Sequence, residues 1–245
     1  LTPVEGTPIV LSDDSIIYAS IGDDDNGGML HKIEPNGDPS WVLPFTYGLR
    51  GTPAHHNGIV YVLGNPGNLA AVDITGTKPK LLWTFKIKTE EADAEGFEDY
   101  YTNSPSVKDD GTVYFGWVDG YLYSVNPEGK LNWKYSTASD KDERYPEIIG
   151  GTSLAKSGSI IFGDSDGYLH SLAPDGSLQW KQRTKGYNNG LVHEIIARPV
   201  LDDEDHIYYG SWDGYVYARY PNGGLKWAIY VDTPVWVSGS VIDGD

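Results

Sequence analysis

The chain has 245 residues, enough for a sizeable core, and its 35 acidic against 18 basic side chains give a formal charge of −17, which repels phosphate backbones and argues against nucleic acid as a partner. It has no cysteine, so disulfides, thiolate nucleophiles and Cys-ligated zinc are excluded. No apolar run approaches the roughly 20 residues that cross a bilayer, so no membrane insertion is expected. The opening residues show neither the basic nor the apolar region of a secretory signal, and any such leader is expected to have been removed already. The 30 Gly, 15 Pro, 18 Tyr and 8 Trp favour short strands joined by tight turns over long helices.

Taken in chain order, the sequence repeats. A degenerate first copy runs from about Gly6 to Trp41 with Pro35, Asn36 and Gly37, and a second from about Gly51 to Trp83. The third copy is regular. Ser106 to Val107 is its first strand, Asp109 to Gly111 a turn, Thr112 to Trp117 the second strand, and Asp119-Gly120 another turn. Tyr121 to Val125 is the third strand, Pro127, Glu128 and Gly129 turn the chain, and Leu131 to Tyr135 is the fourth. Two further copies keep this register, with Trp133, Trp180 and Trp227 spaced 47 apart, as are Asp119, Asp166 and Asp213. Val235 to Asp245 looks like the opening strand of a sixth.

Four strands per period of about 47 residues, apolar on both faces, suit sheets stacked between neighbouring sheets. The expected fold is all-β, a β-propeller of four-stranded antiparallel blades with five repeats plus the first strand of a sixth. Its repeats are placed at approximately 1–47, 48–98, 99–145, 146–192 and 193–234, with 235–245 partial. They form a single domain, which the strand count favours as a fragment of a larger ring. Each fourth-strand Trp is expected between blades with its indole N–H on a loop carbonyl. Asp119, Asp166 and Asp213 are expected to bond their own turn backbones, with the following Gly supplying positive φ.

The string Asp-Gly-Tyr-Leu-Tyr-Ser (119 to 124), then Pro-Glu-Gly-Lys (127 to 130), then Trp133 resembles the repeat of PQQ-like (quinoprotein-type) β-propellers. The resemblance covers nearly the whole chain and speaks for fold more than for activity. It implies one of two functions. The first is a non-catalytic binding or scaffolding propeller, extracytoplasmic, with a protein or glycan as partner. The alternative is an oxidoreductase in which PQQ stacks on a Trp with Ca²⁺ beside it, an activity this resemblance alone motivates.

Candidate site residues come from the long inter-blade connections, where binding usually resides on a rigid scaffold. They are Glu98, Asp99, Tyr100 and Tyr101; Arg144 and Tyr145; Tyr187, Asn188, Asn189 and His193; with Trp117 and Trp212 entering from the turns between second and third strands. Their mixture of aromatics, carboxylates and amides suits a sugar, a peptide or an aromatic cofactor. Glu147 and Glu194, each followed by Ile-Ile and 47 apart, either share a calcium ion with Asn188 or Asn189 or bond backbone N–H groups at the start of their strands. Asp23, Asp24, Asp25 and Asn26 have calcium-type atoms, but Gly27 breaks the usual ligand spacing. No Gly-x-Ser-x-Gly motif accompanies His193, so a hydrolase triad has no support, and nothing sets the carboxylate separation that sugar chemistry requires. No catalytic residue is assigned.

Overall fold

The computed structural model describes residues 3–4, 6–22, 27–87, 103–138, 146–185 and 193–235. Among them the regular structure is strand, arranged as five four-stranded sheets in which neighbours follow chain order. Blade 1 holds Ile9–Val10, Ile16–Ser20, Met29–Ile33 and Pro39–Pro44, and blade 2 holds Leu49–His56, Ile59–Gly64, Asn68–Asp73 and Lys80–Lys86. Blade 3 is built from Ser106–Val107, Val113–Gly116, Tyr121–Val125 and Leu131–Ser136. Blade 4 has Ser153–Leu154, Ile160–Gly163, Tyr168–Leu172 and Leu178–Arg183, and blade 5 has Val200–Leu201, Ile207–Gly210, Tyr215–Arg219 and Leu225–Tyr230. This is an all-β propeller architecture of antiparallel blades. The strand expected at 235–245 lies, apart from Val235, outside the described residues.

Turn chemistry defines each blade. In blade 4 the N–H groups of Ala155, Asp164 and Ala173 bond the carbonyls of Ser159, Tyr168 and Ser177 at 2.9, 3.0 and 2.9 Å. Each is a three-residue loop whose last residue is left-handed, the second commonest hairpin solution. Gly158, Gly167 and Gly176 supply that conformation with φ of 86°, 77° and 87°. The pairing of third and fourth strands carries an irregularity at the same place in blades 1, 2, 4 and 5, just before the tryptophan: Ser171 pairs with Trp180, yet Leu172 pairs with Leu178.

The chain forms two compact units, residues 1–113 with 125–132 and residues 114–124 with 133–245, and blade 3 contributes to both. In the first, Ile17, Ala19 and Leu30 of blade 1 pack on Val60, Val62, Ala70 and Val72 of blade 2. The second holds two cores. Tyr114 and Leu122 face Ile160, Phe162 and Leu172, and Ile161 and Leu169 face Ile207, Tyr209 and Tyr217. In blades 2, 3 and 4 the second and third strands are buried on both faces, and every such Phe or Leu contributes about 1.5–3 kcal/mol.

The fourth-strand tryptophans join successive blades. Trp83, Trp133 and Trp180 donate Nε1–H to the carbonyls of Pro127, Pro174 and Pro221 at 2.8, 3.0 and 3.1 Å. Trp180→Phe keeps the ring and deletes the donor, so it is expected to cost about 1 kcal/mol. In urea this reads as a lower midpoint at unchanged slope. Trp227→Phe should shift the midpoint far less, since Trp227 donates to no carbonyl among the described residues.

Candidate functional site

The fourth strand of each blade returns to the turn between its second and third strands. Ile87, Thr137, Thr184 and Val231 donate their N–H groups to the carbonyls of Gly67, Gly120, Gly167 and Gly214 at 3.0, 2.9, 2.9 and 2.8 Å. The long connections are therefore rooted beside these turns. Thr137 draws both ends of one of them together, its hydroxyl lying 2.8 Å from the Gly120 carbonyl and 2.6 Å from that of Pro146. Lys185 starts the next with its N–H on the Tyr217 hydroxyl at 2.8 Å. Glu98, Asp99, Tyr100, Tyr101, Arg144, Tyr145, Tyr187, Asn188 and Asn189 lie outside the described residues, as do Asp23 to Asn26.

The described candidates divide into a strap and a set of buried carboxylates. Glu147-Ile148 and Glu194-Ile195 form the strap with their main chain. Ile148 N–H bonds Trp117 O in blade 3 at 3.1 Å, and Glu147 O accepts from Ser165 N–H in blade 4 at 2.9 Å. One period on, Ile195 N–H bonds Asp164 O and Glu194 O accepts from Trp212 N–H, both at 3.0 Å. The Ser165 hydroxyl accepts from Glu147 N–H at 2.9 Å, and the Ser211 hydroxyl donates to His193 O at 3.0 Å. Both Ile side chains are fully buried. Trp117 is 5% exposed and belongs to the interior, whereas Trp212, His193, Glu147 and Glu194 are half-buried.

In blade 3, Asp119 accepts the Tyr121 N–H at 3.1 Å on one oxygen and the Tyr123 hydroxyl on the other. Asp213 does the same in blade 5 with Tyr215 N–H and the Tyr217 hydroxyl. Burial lifts the Asp119 carboxyl above its ordinary range, although both donors pull it back. Burial first, and then the adjoining carboxylate, hold the Tyr123 and Tyr217 phenols far above theirs. At neutral pH these phenols are fixed donors.

Blade 4 reaches the same result differently. Asp166 is half-buried, and Asp164 takes the buried role: it accepts the N–H groups of Asp166 and Tyr168 at 3.0 and 2.8 Å and sits 2.7 Å from His170 Nε2. Asp164 and His170 are 1% and 0% exposed. His170 stacks on Phe162 at 4.8 Å, as Tyr123 does on Phe115 and Tyr217 on Tyr209. The sequence signal for this dyad was two coupled departures from the repeat: His where Tyr stands 47 residues to either side, and Asp where Trp117 and Ser211 stand.

The family model for outer membrane protein assembly factor BamB matches residues 2–149, more than half of the chain. The chain belongs to this family of PQQ-like propellers. Among curated proteins none matches its sequence. Solved structures similar to this BamB-family chain include BamB from Moraxella catarrhalis, with a TM-score of 0.64 at 16% identity over 93% of this chain and 63% of that one. A quinohemoprotein alcohol dehydrogenase from Comamonas testosteroni gives 0.71 at 17% over 94% and 43%. A europium-containing methanol dehydrogenase gives 0.74 at 15% over 93% and 51%. The chain spans less than two thirds of each, and at these identities the likeness is one of fold.

The dehydrogenases raise the question of a quinone with a metal ion. Among the described residues no three His, Asp or Glu come together to hold a metal. Glu147 and Glu194 are both half-buried and supply two carboxylates, while calcium also draws on carbonyl and water oxygens. Asn188 and Asn189, the other candidate ligands of this BamB-family chain, lie outside the described residues.

Proposed function

We propose that the chain is a non-catalytic scaffold of the BamB type, working outside the cytoplasm and presenting the long connections rooted at its second-to-third-strand turns to a protein partner in outer-membrane protein assembly. The family match over residues 2–149 carries this reading. The geometry agrees with it: Asp119, Asp164 and Asp213 serve as buried acceptors within their own blades, and rigid blades with long connections suit protein capture. Within this reading Glu98, Asp99, Arg144 and Tyr187 contact the partner.

The test pairs two measurements on one protein. Reconstituted outer-membrane protein assembly machinery should bind the chain, and Glu98→Lys with Asp99→Lys should weaken binding about tenfold or more without moving the melt. Calcium and PQQ, added together to the calcium-stripped protein, should leave the melt unchanged. A ligand at about 100 times its Kd would add about 2.7 kcal/mol, so a raised melt with retained quinone absorbance would overturn the scaffold in favour of an oxidoreductase.

A further inference from the structure

The turn between the first and second strands of blade 2 sets two histidines around an Asn-Gly pair. Asn57 and Gly58 form a two-residue loop with φ of 48° and 76°, across which His56 pairs with Ile59 and His55 with Val60. Asn-Gly suits such a loop because both of its positions need positive φ. Successive residues of a strand point to opposite faces, so His55 and His56 reach the loop from two sides. Gly58 N–H donates to His55 Nε2 at 3.2 Å, and Asn57 Nδ2 lies 2.8 Å from His56 Nε2. Partial burial first, and then His56, hold the His55 imidazole below the ordinary histidine range, with Asp13 pulling it back. At neutral pH His55 Nε2 is therefore free to accept a proton.

The sequence has five Asn-Gly pairs, at Asn26, Asn36, Asn57, Asn189 and Asn222, of which Asn26 and Asn189 lie outside the described residues. The other two differ from Asn57 at both nitrogens. Gly37 N–H bonds Glu34 O at 2.8 Å and Gly223 N–H bonds Tyr220 O at 2.9 Å, and a peptide carbonyl takes no proton at neutral pH. Asn36 Oδ1 accepts from Asp38 N–H and Asn222 Oδ1 from Gly224 N–H, both at 3.0 Å, which ties each side chain to its own turn. Among the described pairs, Asn57-Gly58 is the one where an imidazole nitrogen meets both the backbone N–H and the side-chain amide nitrogen.

We propose that this turn is a self-modification site, at which Asn57 deamidates through a succinimide with His55 as general base and His56 as general acid. The bond from Gly58 N to Asn57 Cγ forms as His55 Nε2 takes the Gly58 proton. The Asn57 Cγ–Nδ2 bond then breaks, and the nitrogen leaves as ammonia with the electron pair of that bond and a proton from the imidazolium form of His56. One proton is taken and one is given, and both imidazoles recover their states by exchange with water. A water molecule then opens the ring at either carbonyl, which leaves aspartate or isoaspartate in place of Asn57. Isoaspartate lengthens the backbone of a loop that has two residues, and so disturbs the pairing of His56 with Ile59.

Peptide mass spectrometry on the full chain, aged at neutral pH and then digested, tests this with Asn36 and Asn222 as internal references. In the folded protein Asn57 should deamidate about tenfold or more faster than either reference. In urea the three sites should react at similar rates, because the imidazoles are no longer held on the turn. His55→Gln keeps an acceptor for Gly58 N–H and removes the base, and His56→Gln removes the acid. Each should slow Asn57 about tenfold or more while Asn36 and Asn222 keep their rates, which reports that the fold is intact. Asn57 no faster than the references in the folded protein, an advantage that persists in urea, or a wild-type rate at Asn57 in either variant would each overturn the proposal.

Discussion

Asp164→Ala is expected to lower the unfolding free energy by about 2 kcal/mol or more, since one fully buried and two part-buried donors lose their acceptor. It removes the acceptor of the Asp166 and Tyr168 N–H groups and of His170 Nε2. The His170 donor cannot turn to water, since the ring is fully buried between Phe162 and the Tyr135 edge. Asp166→Ala, two residues away and on the repeat position of Asp119 and Asp213, should cost less, because Asp166 is only half-buried. Urea midpoints of the two variants measure the contrast. Equal losses would mean that Asp164 has no larger part in this turn than Asp166.

Gly163→Ala should be as damaging, for a different reason. The added Cβ would lie 2.2 Å from Ile195 Cγ2 and 2.4 Å from its Cβ. Ile195 is fully buried and its N–H is bonded to Asp164 O at 3.0 Å, so it has nowhere to retreat. Overpacking of this kind costs about 1–3 kcal/mol and at times more, and the upper end is expected here because the clash spans the strap that links blades 4 and 5. Gly163→Ala with Ile195→Ala should be less damaging than the sum of the two single changes, with a coupling of about 1 kcal/mol or more. Strict additivity would mean that the two side chains do not compete for one space.

Gly116 stands to Ile148 as Gly163 does to Ile195, with the added Cβ 2.0 Å from Ile148 Cγ2. The Glu-Ile-Ile repetition was visible in the sequence, where the carboxylates suit either a shared calcium ion or backbone N–H groups at the start of their strands. In the fold the repetition also serves the main chain and the isoleucine, which ties two blades by hydrogen bonds and packs over a glycine. A spacing of 47 reveals that two positions are equivalent. It does not reveal whether side chain or backbone is the reason.

The turns and the tryptophans were legible because their causes are local. A Gly closing a three-residue loop, a Pro opening it, and an indole needing one acceptor act alike wherever the chain presents them. Even the degenerate second repeat obeys: Trp83 is 50 residues from Trp133 rather than 47, and its bond to Pro127 O is 2.8 Å. Strand boundaries agreed to within a residue in the third repeat, where second-strand pairing begins at Val113 and ends at Gly116 against Thr112 to Trp117 from the pattern.

Sequence alone thus established the all-β class, the blade as repeating unit, the PQQ-like family and the tryptophan joint, since each follows from chemistry that recurs at a constant interval. Tertiary structure decided which acid is buried in blade 4, that Trp117 is an interior residue, and that Glu147 and Glu194 strap blades through their carbonyls. Those outcomes depend on which atoms of two neighbouring sheets arrive within about 3 Å of each other, a distance that hydrogen bonding and packing select and that no interval along the chain encodes.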